Sequence, residues 1–512
     1  MTAKRTPPPG ALDASSAVNP VRFALSRSSH TLPEAFASRL RGVCGTVLHD
    51  DAARVEAGRD WWPLSAVWAS QGRQPCLPQL VAVPSSIQEV SAVSALCNRE
   101  RVPLTVFAGA SGVCGASLPL RSGVSLDVTA LHGISDVDAK SRTVQVGAGT
   151  FGQDFENELR SSHDLTVGHW PQSMALSTVG GWVACRGAGQ FSTRYGKIED
   201  MVTALEVVLA DGTVVDTGGA YPKSATGPDL TQVFLGSEGT LGVITSVRLR
   251  AHKVPAATTR FAYGFKDFDS GLEACRRVLQ RGATPAVLRL YDRTESERNF
   301  AFAGVCVLLV ADEADPVMLE ATQRVVDEEC GEASQLGPDP VEQWFKHRNE
   351  IPDIAGLVAA GLVVDTVEVA GSWGALPAMY SEALSALRGV EGTVAASAHQ
   401  SHAYSDGACL YFTFAGRPAD TGRYSDAGQT AGMSPSWTPD SAAEAFYKEA
   451  FDAVTLAALR NGGTVSHHHG IGLNRAGYMK QHLGAGLDVL RALKGALDPN
   501  GILNPGKLGL LP

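Results

Sequence analysis

Apolar and polar positions along the chain fall into short, recognisable units. Leu80-Val81-Ala82-Val83 predicts a strand closed by Pro84. Ser85-Ser86-Ile87-Gln88-Glu89-Val90 then opens a helix, with a serine cap, an acidic first turn and apolar residues at helical spacing through Cys97. Pro103-Leu104-Thr105-Val106-Phe107 predicts the next strand. Further strands are expected at Ser125-Leu126-Asp127-Val128, Thr143-Val144-Gln145-Val146-Gly147 and Ala204-Leu205-Glu206-Val207-Val208-Leu209. Asp211-Gly212 is a hairpin signal after the last of these. From about Lys253 the glycine density falls, and strands alternate with amphipathic helices to about Ala450. Upstream, order is expected to begin near Leu32 with a short helix, followed by the aromatic cluster Arg59-Asp60-Trp61-Trp62-Pro63. The first 30 residues carry Pro7-Pro8-Pro9 and many serines but no apolar signal-peptide core, which predicts a disordered arm. Residues 417–439 are rich in Gly, Ser, Thr and Pro and predict a long loop, either a lid or without function.

These textures divide the 512 residues into an arm and lead-in (1–59), a glycine-rich domain (60–253), a second domain (254–455) and a C-terminal segment (456–512). Hydrophobic content of 44% and charged content of 19% fit an ordinary globular protein. A net charge of -10 argues against nucleic acid and anionic membrane as partners. No apolar stretch approaches the roughly 20 residues of a membrane helix. Nine scattered cysteines without a Cys-x-x-Cys argue against a disulfide framework and for a reducing, cytoplasmic setting. The final Gly509-Leu510-Leu511-Pro512 is not a peroxisomal signal.

Candidate chemistry concentrates in three places. Ala108, Gly109, Ala110, Ser111, Gly112 and Val113 form a loop of small residues directly after a strand. Such a loop lets backbone N–H groups approach a pyrophosphate. It lacks the Gly-x-Gly-x-x-Gly spacing of a nicotinamide site and the Lys-Ser/Thr of a nucleotide triphosphatase. A second glycine-rich set runs from Leu165 to Arg250. The third place is Ser466-His467-His468-His469-Gly470-Ile471-Gly472. Adjacent imidazoles can move protons, bind an anion or hold a metal, and a structural turn held by imidazole–carbonyl bonds is the alternative.

Taken together, the strand-loop at 103–115, STVGGWVACRGAG at 177–189, YGKIEDMV at 195–202, TGPDLTQVFLGSEGTLGVIT at 226–245, DGACLYFTFAG at 406–416 and SHHHGIG at 466–472 resemble the two-domain flavoproteins of the vanillyl-alcohol oxidase and p-cresol methylhydroxylase family. Within it, the pattern is most similar to the alkyldihydroxyacetonephosphate synthases. The resemblance spans about residues 60–510 and implies an α+β fold in which a PCMH-type FAD-binding domain (60–253) meets an α/β cap domain (254–455). It also implies that the C-terminal segment (456–512) packs back near the flavin. It implies that residues 108–113 cradle the FAD pyrophosphate. It places Pro171, Ser177, Thr178, Gly180, Gly181 and Gly187 along the ribityl chain and flavin ring, and Glu238, Gly239, Gly242, Val243 and Ile244 on the adenine side. Some relatives tie the flavin to a histidine in the first loop; Ala110 and Ser111 occupy it here, so noncovalent FAD is expected. Tyr411, His467, His468 and His469 match proton-transfer positions, where a phenol and imidazoles serve as general bases. From alternation alone, Tyr411 in Leu410-Tyr411-Phe412-Thr413-Phe414 also reads as a packed aromatic.

The chain departs from the synthase pattern on the substrate side. Lys223 stands where the family has a phosphate-binding arginine, and no arginine occupies Asp353-Ile354-Ala355-Gly356, the nearest being Arg348. Arg289, in VLRLYD, is a candidate anion contact or a partner of Asp292. The C-terminal end is also similar to D-lactate and glycolate dehydrogenases, some of which hold a divalent metal through two histidines and a carboxylate. His402 is placed to join the histidine cluster on the substrate side, with no metal expected. The implied function is oxidation of a small polar alcohol, hydroxy acid or amine by FAD, with a redox-neutral, ether-forming transferase working through a flavin–substrate adduct as the alternative. A homodimer is expected by family analogy.

Overall fold

The computed structural model describes residue 5 and residues 19–20, 32–74, 76–219, 223–419, 439 and 441–510. The expected N-terminal arm and the loop at 417–439 therefore lie largely outside the described residues. In the first part of the chain, Leu80–Ala82, Val124–Asp127 and Leu104–Phe107 run parallel, and Val47–Leu48 adds antiparallel at one edge. The connection between Leu80–Ala82 and Leu104–Phe107 is the helix Ile87–Glu100, whose Ser86 side chain accepts from the Glu89 N–H as its sequence predicts. Phe36 and Leu40 of the helix Glu34–Val43 join the core of this sheet, so the packed body reaches back to residue 34.

A second sheet is antiparallel, in the order Val214–Asp216, Val202–Val208, Val243–Arg250, Thr143–Gly147, Ile134–Asp138. Its first hairpin turns at Asp211-Gly212, where Gly212 adopts φ +90°.

Residues 257–416 form a seven-stranded antiparallel sheet in the order Ser334–Gln335, Ala257–Phe265, Cys306–Ala314, Val287–Tyr291, Thr393–Ala403, Gly407–Gly416, Val363–Ser372. Strict alternation sorts its residues. Leu288, Leu290, Val367, Val369, Leu410, Phe412 and Phe414 face the helices Phe268–Gln280, Leu376–Gly389 and Ala442–Arg460 and form the largest core. Burying each such side chain contributes about 1.5–3 kcal/mol. The opposite face carries the polar residues of one register row, in which Tyr291 pairs with His399, His399 with Tyr411, and Tyr411 with Glu368.

One irregularity in that sheet decides the site. Gln400 pairs with Leu410 and His402 with Cys409, which leaves Ser401 as an extra residue. Without this bulge, His399 and His402 would lie on opposite faces, because side chains alternate with period two.

The C-terminal segment returns to the first sheet. Leu473 and Asn474 donate their N–H groups to the Cys114 carbonyl at 2.8 and 3.1 Å. Asn504 Nδ2 reaches the Ala116 and Glu238 carbonyls at 3.0 and 2.5 Å, and the buried Lys507 ammonium donates to Leu118 at 2.6 Å.

Candidate active site

The triple-histidine loop is held from below by one carboxylate. Glu368 Oε1 accepts from Ser466 Oγ at 2.7 Å and from the backbone N–H groups of His467, His468 and His469 at 3.2, 3.0 and 2.8 Å. Its Oε2 accepts from Arg475 Nη2, and both side chains are fully buried. Burial opposes ionisation of Glu368, but the Arg475 charge, His469 and the converging donors overcome it and hold its pKa well below the carboxylate range. The loop's far end rests on a second carboxylate. Glu238, itself at φ +49°, accepts from the Ile471 and Gly472 N–H groups at 2.6 and 2.8 Å. Burial pushes this carboxyl up to about 7, against those bonds and Lys507. Gly470 turns at φ +83°, where an added Cβ would lie 2.5 Å from Glu238 Oε1.

Above this platform the rings converge. His467 Nδ1 and His468 Nδ1 lie 3.0 Å apart. His467 Nε2 bonds the Tyr404 hydroxyl at 3.1 Å, which lies 3.1 Å from Ser192 Oγ, and Ser192 Oγ meets His402 Nδ1 at 2.8 Å. His402 stacks 5.0 Å from His467 and stands edge-on to His468 at 5.0 Å. Tyr411 lies 6.0 Å from His468 and 5.6 Å from His469, and its hydroxyl accepts from Thr366 Oγ1 at 3.0 Å. Burial lowers all four histidines, His467 to about 3, so they are uncharged at pH 7 and each keeps one ring nitrogen able to accept a hydrogen bond. Burial also raises Tyr411 well above its ordinary range, so its phenol stays protonated. The imidazoles are therefore the acceptors of this site and Tyr411 is a donor. One nitrogen each of His402, His467 and His468 fall within 4.8 Å of one another, a donor set a zinc-type cation accepts.

The glycine loops meet the same cluster. Asp60 Oδ2 accepts from Gly115 N at 2.8 Å, Trp61 N donates to Gly112 O at 2.8 Å, and the Trp62 ring lies under Gly115. Gly109 packs against the chain at 176–177, where an added Cβ would sit 2.2 Å from the Leu176 carbonyl oxygen. This close approach brings residues 108–113 beside the turn that Pro171 begins and beside Ser177, whose Oγ accepts from Trp182 Nε1 at 2.7 Å. Thr178 caps the helix Val179–Cys185 by accepting from Gly181 N. Gly180 presses on Ala148, and Gly187 donates to the Trp182 carbonyl at 2.9 Å. Gly239 turns at φ +72°, Gly242 packs on Val207, and Val243 and Ile244 enter the core. Ala110 holds φ +49°, a strained left-handed conformation for a residue with a side chain.

Polar atoms around these loops await a partner. Both ring nitrogens of the fully buried His169, 4.5 Å from Trp182, are unbonded, as are Ser117 Oγ and Ser237 Oγ. Unsatisfied buried groups grouped beside small-residue loops fit a large polar cofactor such as FAD. Lys197, which donates to the His467 carbonyl at 2.7 Å, ties this region to the histidine loop.

Not every expected substrate contact joins the cluster. Lys223 is exposed, and none of the cluster's hydrogen bonds reaches it. Arg289 lies on the site-facing side of the sheet and donates through Nη2 to His399 Nε2 at 2.5 Å. It does not pair with Asp292, which instead caps the helix Arg293–Phe300 and accepts from Ala398 N at 2.7 Å. Arg348 donates to Gln190 Oε1 at 2.7 Å, among Trp170, Phe191, Trp344 and Phe345. Sequence reading missed Glu368, Tyr404, Ser192, Lys197, His399 and Glu295. Glu368 left one signal, a charged residue among valines in Val363-Val364-Asp365-Thr366-Val367-Glu368-Val369.

Comparison with known proteins identifies the family of the chain. Residues 78–218 match an FAD binding domain model, and residues 254–508 match the C-terminal domain of FAD linked oxidases. The chain is 30% identical over 448 residues to an FAD-linked oxidoreductase of Escherichia coli K12, YgcU, across 84% of this chain and 89% of that one. It is 28% identical over 471 residues to the alkyldihydroxyacetonephosphate synthase of Dictyostelium discoideum, covering 84% of this chain and 73% of that one. It is also 28% identical over 446 residues to the glycolate oxidase subunit GlcD of Bacillus subtilis, covering 84% and 89%. Among solved structures, an alkyldihydroxyacetonephosphate synthase superposes with TM-score 0.76 at 24% identity, over 99% of this chain and 89% of that chain. A p-cresol methylhydroxylase superposes with TM-score 0.71 at 16% identity, over 93% and 97%, which shares the fold.

Proposed function

Because this chain belongs to the FAD-linked oxidoreductases, and because its neutral histidines and Tyr411 stand beside the glycine loops, we propose that it oxidises a small polar alcohol, hydroxy acid or amine using noncovalently bound FAD. FAD supplies the two-electron acceptor when bound. Residues 108–113 and 171–187, with His169 and Ser237, would hold it. His468 takes the substrate's hydroxyl or amine proton, since it faces both Tyr411 and His402 and its ring is uncharged before the substrate arrives. Tyr411 donates to the substrate heteroatom and orients it. The Glu368 platform fixes the backbone that carries the rings, and Glu238 holds the far end of the same loop. The observation that carries this reading is the row Tyr291–His399–Tyr411–Glu368, which sets Tyr411 on the same face of the sheet as the carboxylate that holds the histidine loop. The nine cysteines, all free, support a cytoplasmic setting, and no helix among the described residues is long and apolar enough to cross a membrane. A homodimer rests on family analogy.

A second reading, a redox-neutral transferase, is favoured by one observation: Tyr411 stands beside the triple histidine, as the resemblance of the two motifs to the synthases implies, and a synthase is among the relatives. An anaerobic visible titration separates the two. Loss of the flavin band with a hydroxy compound, and its return with oxygen or a dye, supports oxidation. A spectral change only with an acylated dihydroxyacetone phosphate, with no electron output, supports the transferase.

A further inference from the structure

Arg289 differs from several cations near the site in what it lacks. Arg475 meets Glu368, Arg194 meets Asp312 and Arg160 meets Glu156, each directly. Among the described residues, no carboxylate lies within ion-pair distance of Arg289. Its guanidinium instead meets neutral rings, with Nη2 on the imidazole His399 Nε2 at 2.5 Å and a further hydrogen bond to Tyr291, and its Nε is buried without a partner. The guanidinium is steadied over Tyr291, 5.5 Å from the ring, and lies 5.9 Å from Trp344.

The chemistry of that contact sets the histidine's state. A guanidinium only donates, so His399 Nε2 accepts and the ring proton resides on Nδ1. Nδ1 in turn donates to Glu295 Oε2 at 2.7 Å. The other oxygen of Glu295 accepts from Ser397 Oγ at 3.0 Å and Thr413 Oγ1 at 3.2 Å, and Arg298 lies 3.2 Å away. The carboxylate charge is thereby taken up by Arg298, while the imidazole passes on orientation without a countercharge. His399 is also clamped between the rings of Tyr291 and Tyr411, each 5.0 Å away. Burial, with help from the Arg289 charge, keeps this imidazole neutral, at about 4. A carboxylate in its place would neutralise Arg289, as Glu368 neutralises Arg475.

We infer that Glu295 and His399 are a positioning pair that holds Arg289 in the site as a cation without a counter-ion, and that the substrate carries an anionic group, carboxylate or phosphate, which Arg289 meets. This rests on the proposed site being the substrate pocket. It deepens the reading by narrowing the substrate to an anion, and it makes Arg289 rather than the exposed Lys223 the anchor.

The test titrates the FAD-loaded protein with inorganic phosphate and, separately, with acetate, following the perturbation of the flavin spectrum and the heat of binding. Saturable binding of at least one is expected, and the tighter of the two identifies a phosphorylated or a carboxylated substrate. Arg289→Ala should abolish it. His399→Phe, which keeps a flat ring for the stack, should weaken it at least about tenfold at unchanged flavin content, the scale of one hydrogen bond to a charged group. His399→Gln, which restores an acceptor, should recover most of it. Should His399→Phe fail to fold, Glu295→Gln should still weaken binding at least about threefold, since the imidazole loses its charged anchor. Added methylguanidinium should restore anion binding to Arg289→Ala and not to the Arg289→Ala/His399→Phe double variant. Wild-type affinity in His399→Phe, or equal rescue of both Arg289 variants, would overturn the positioning role. Absence of binding by either anion would overturn the anionic substrate; bleaching of the same flavin by a neutral alcohol would then leave the oxidoreductase reading standing.

Discussion

Glu368 and Arg475 form a fully buried ion pair, and the same carboxylate receives the N–H groups of His467, His468 and His469. The pair lies beneath the proton-transfer groups, so one residue couples the cap sheet to the C-terminal loop. Glu368→Gln leaves the Arg475 charge buried and unpaired. It should destabilise the protein by about 3–5 kcal/mol and disorder the histidine loop. Denaturant unfolding, with turnover measured in parallel, checks this.

His468→Ala and Tyr411→Phe should each lower turnover by about 10²–10⁴-fold, the usual loss when a general acid or base is removed. Flavin content should be unchanged, because neither side chain braces the glycine loops. The check is the ratio of flavin absorbance to protein alongside kcat; full activity in both variants would remove the proton-transfer assignment.

Glu238 gives the stability curve a defined sign. Its folded pKa of about 7 exceeds the ordinary value of 4.5, so the folded state holds a proton that the unfolded state releases. Stability conferred by this group is therefore intact below about pH 4 and is lost as pH rises through about 7, by about 3 kcal/mol. Glu238→Gln should flatten that part of the curve. Melting temperature against pH for both proteins reads the difference.

The convergence of His402, His467 and His468 predicts sensitivity to transition metals. Micromolar zinc should inhibit turnover by bridging the imidazoles, and a chelator should restore it in full. His402→Asn should be less sensitive at equal flavin content. Dose–response curves with and without chelator decide it.

Gly109 carries a steric prediction. An added Cβ would lie 2.2 Å from the Leu176 carbonyl oxygen, so Gly109→Ala must push residues 108–113 away from the turn at 171–178. FAD affinity should fall at least about tenfold while the cap sheet, remote from the clash, still folds. Flavin retention through gel filtration, with circular dichroism, checks both halves.

Much of this protein was determined locally and is legible in the chain. The Ser86 cap, the turn at Asp211-Gly212, the strand entering the loop at 108–113 and the alternation through Leu410 and Phe414 need only neighbouring residues, because caps, turns and periodicity act over a few positions. The motif set identified the flavin fold and the histidine run for the same reason. Tertiary structure alone decided how those pieces serve one another. Glu368 reaches the histidine loop across about a hundred residues, and nothing near either segment announces the pairing. The bulge at Ser401 puts His402 on the face of His399, which an unbroken strand would forbid. Arg289 turns to His399 on the adjoining strand rather than to Asp292 three positions on, since Asp292 is needed by the helix it caps. Strand register and burial are properties of the folded sheet, so the partners of its charged side chains come into being only when the strands pair.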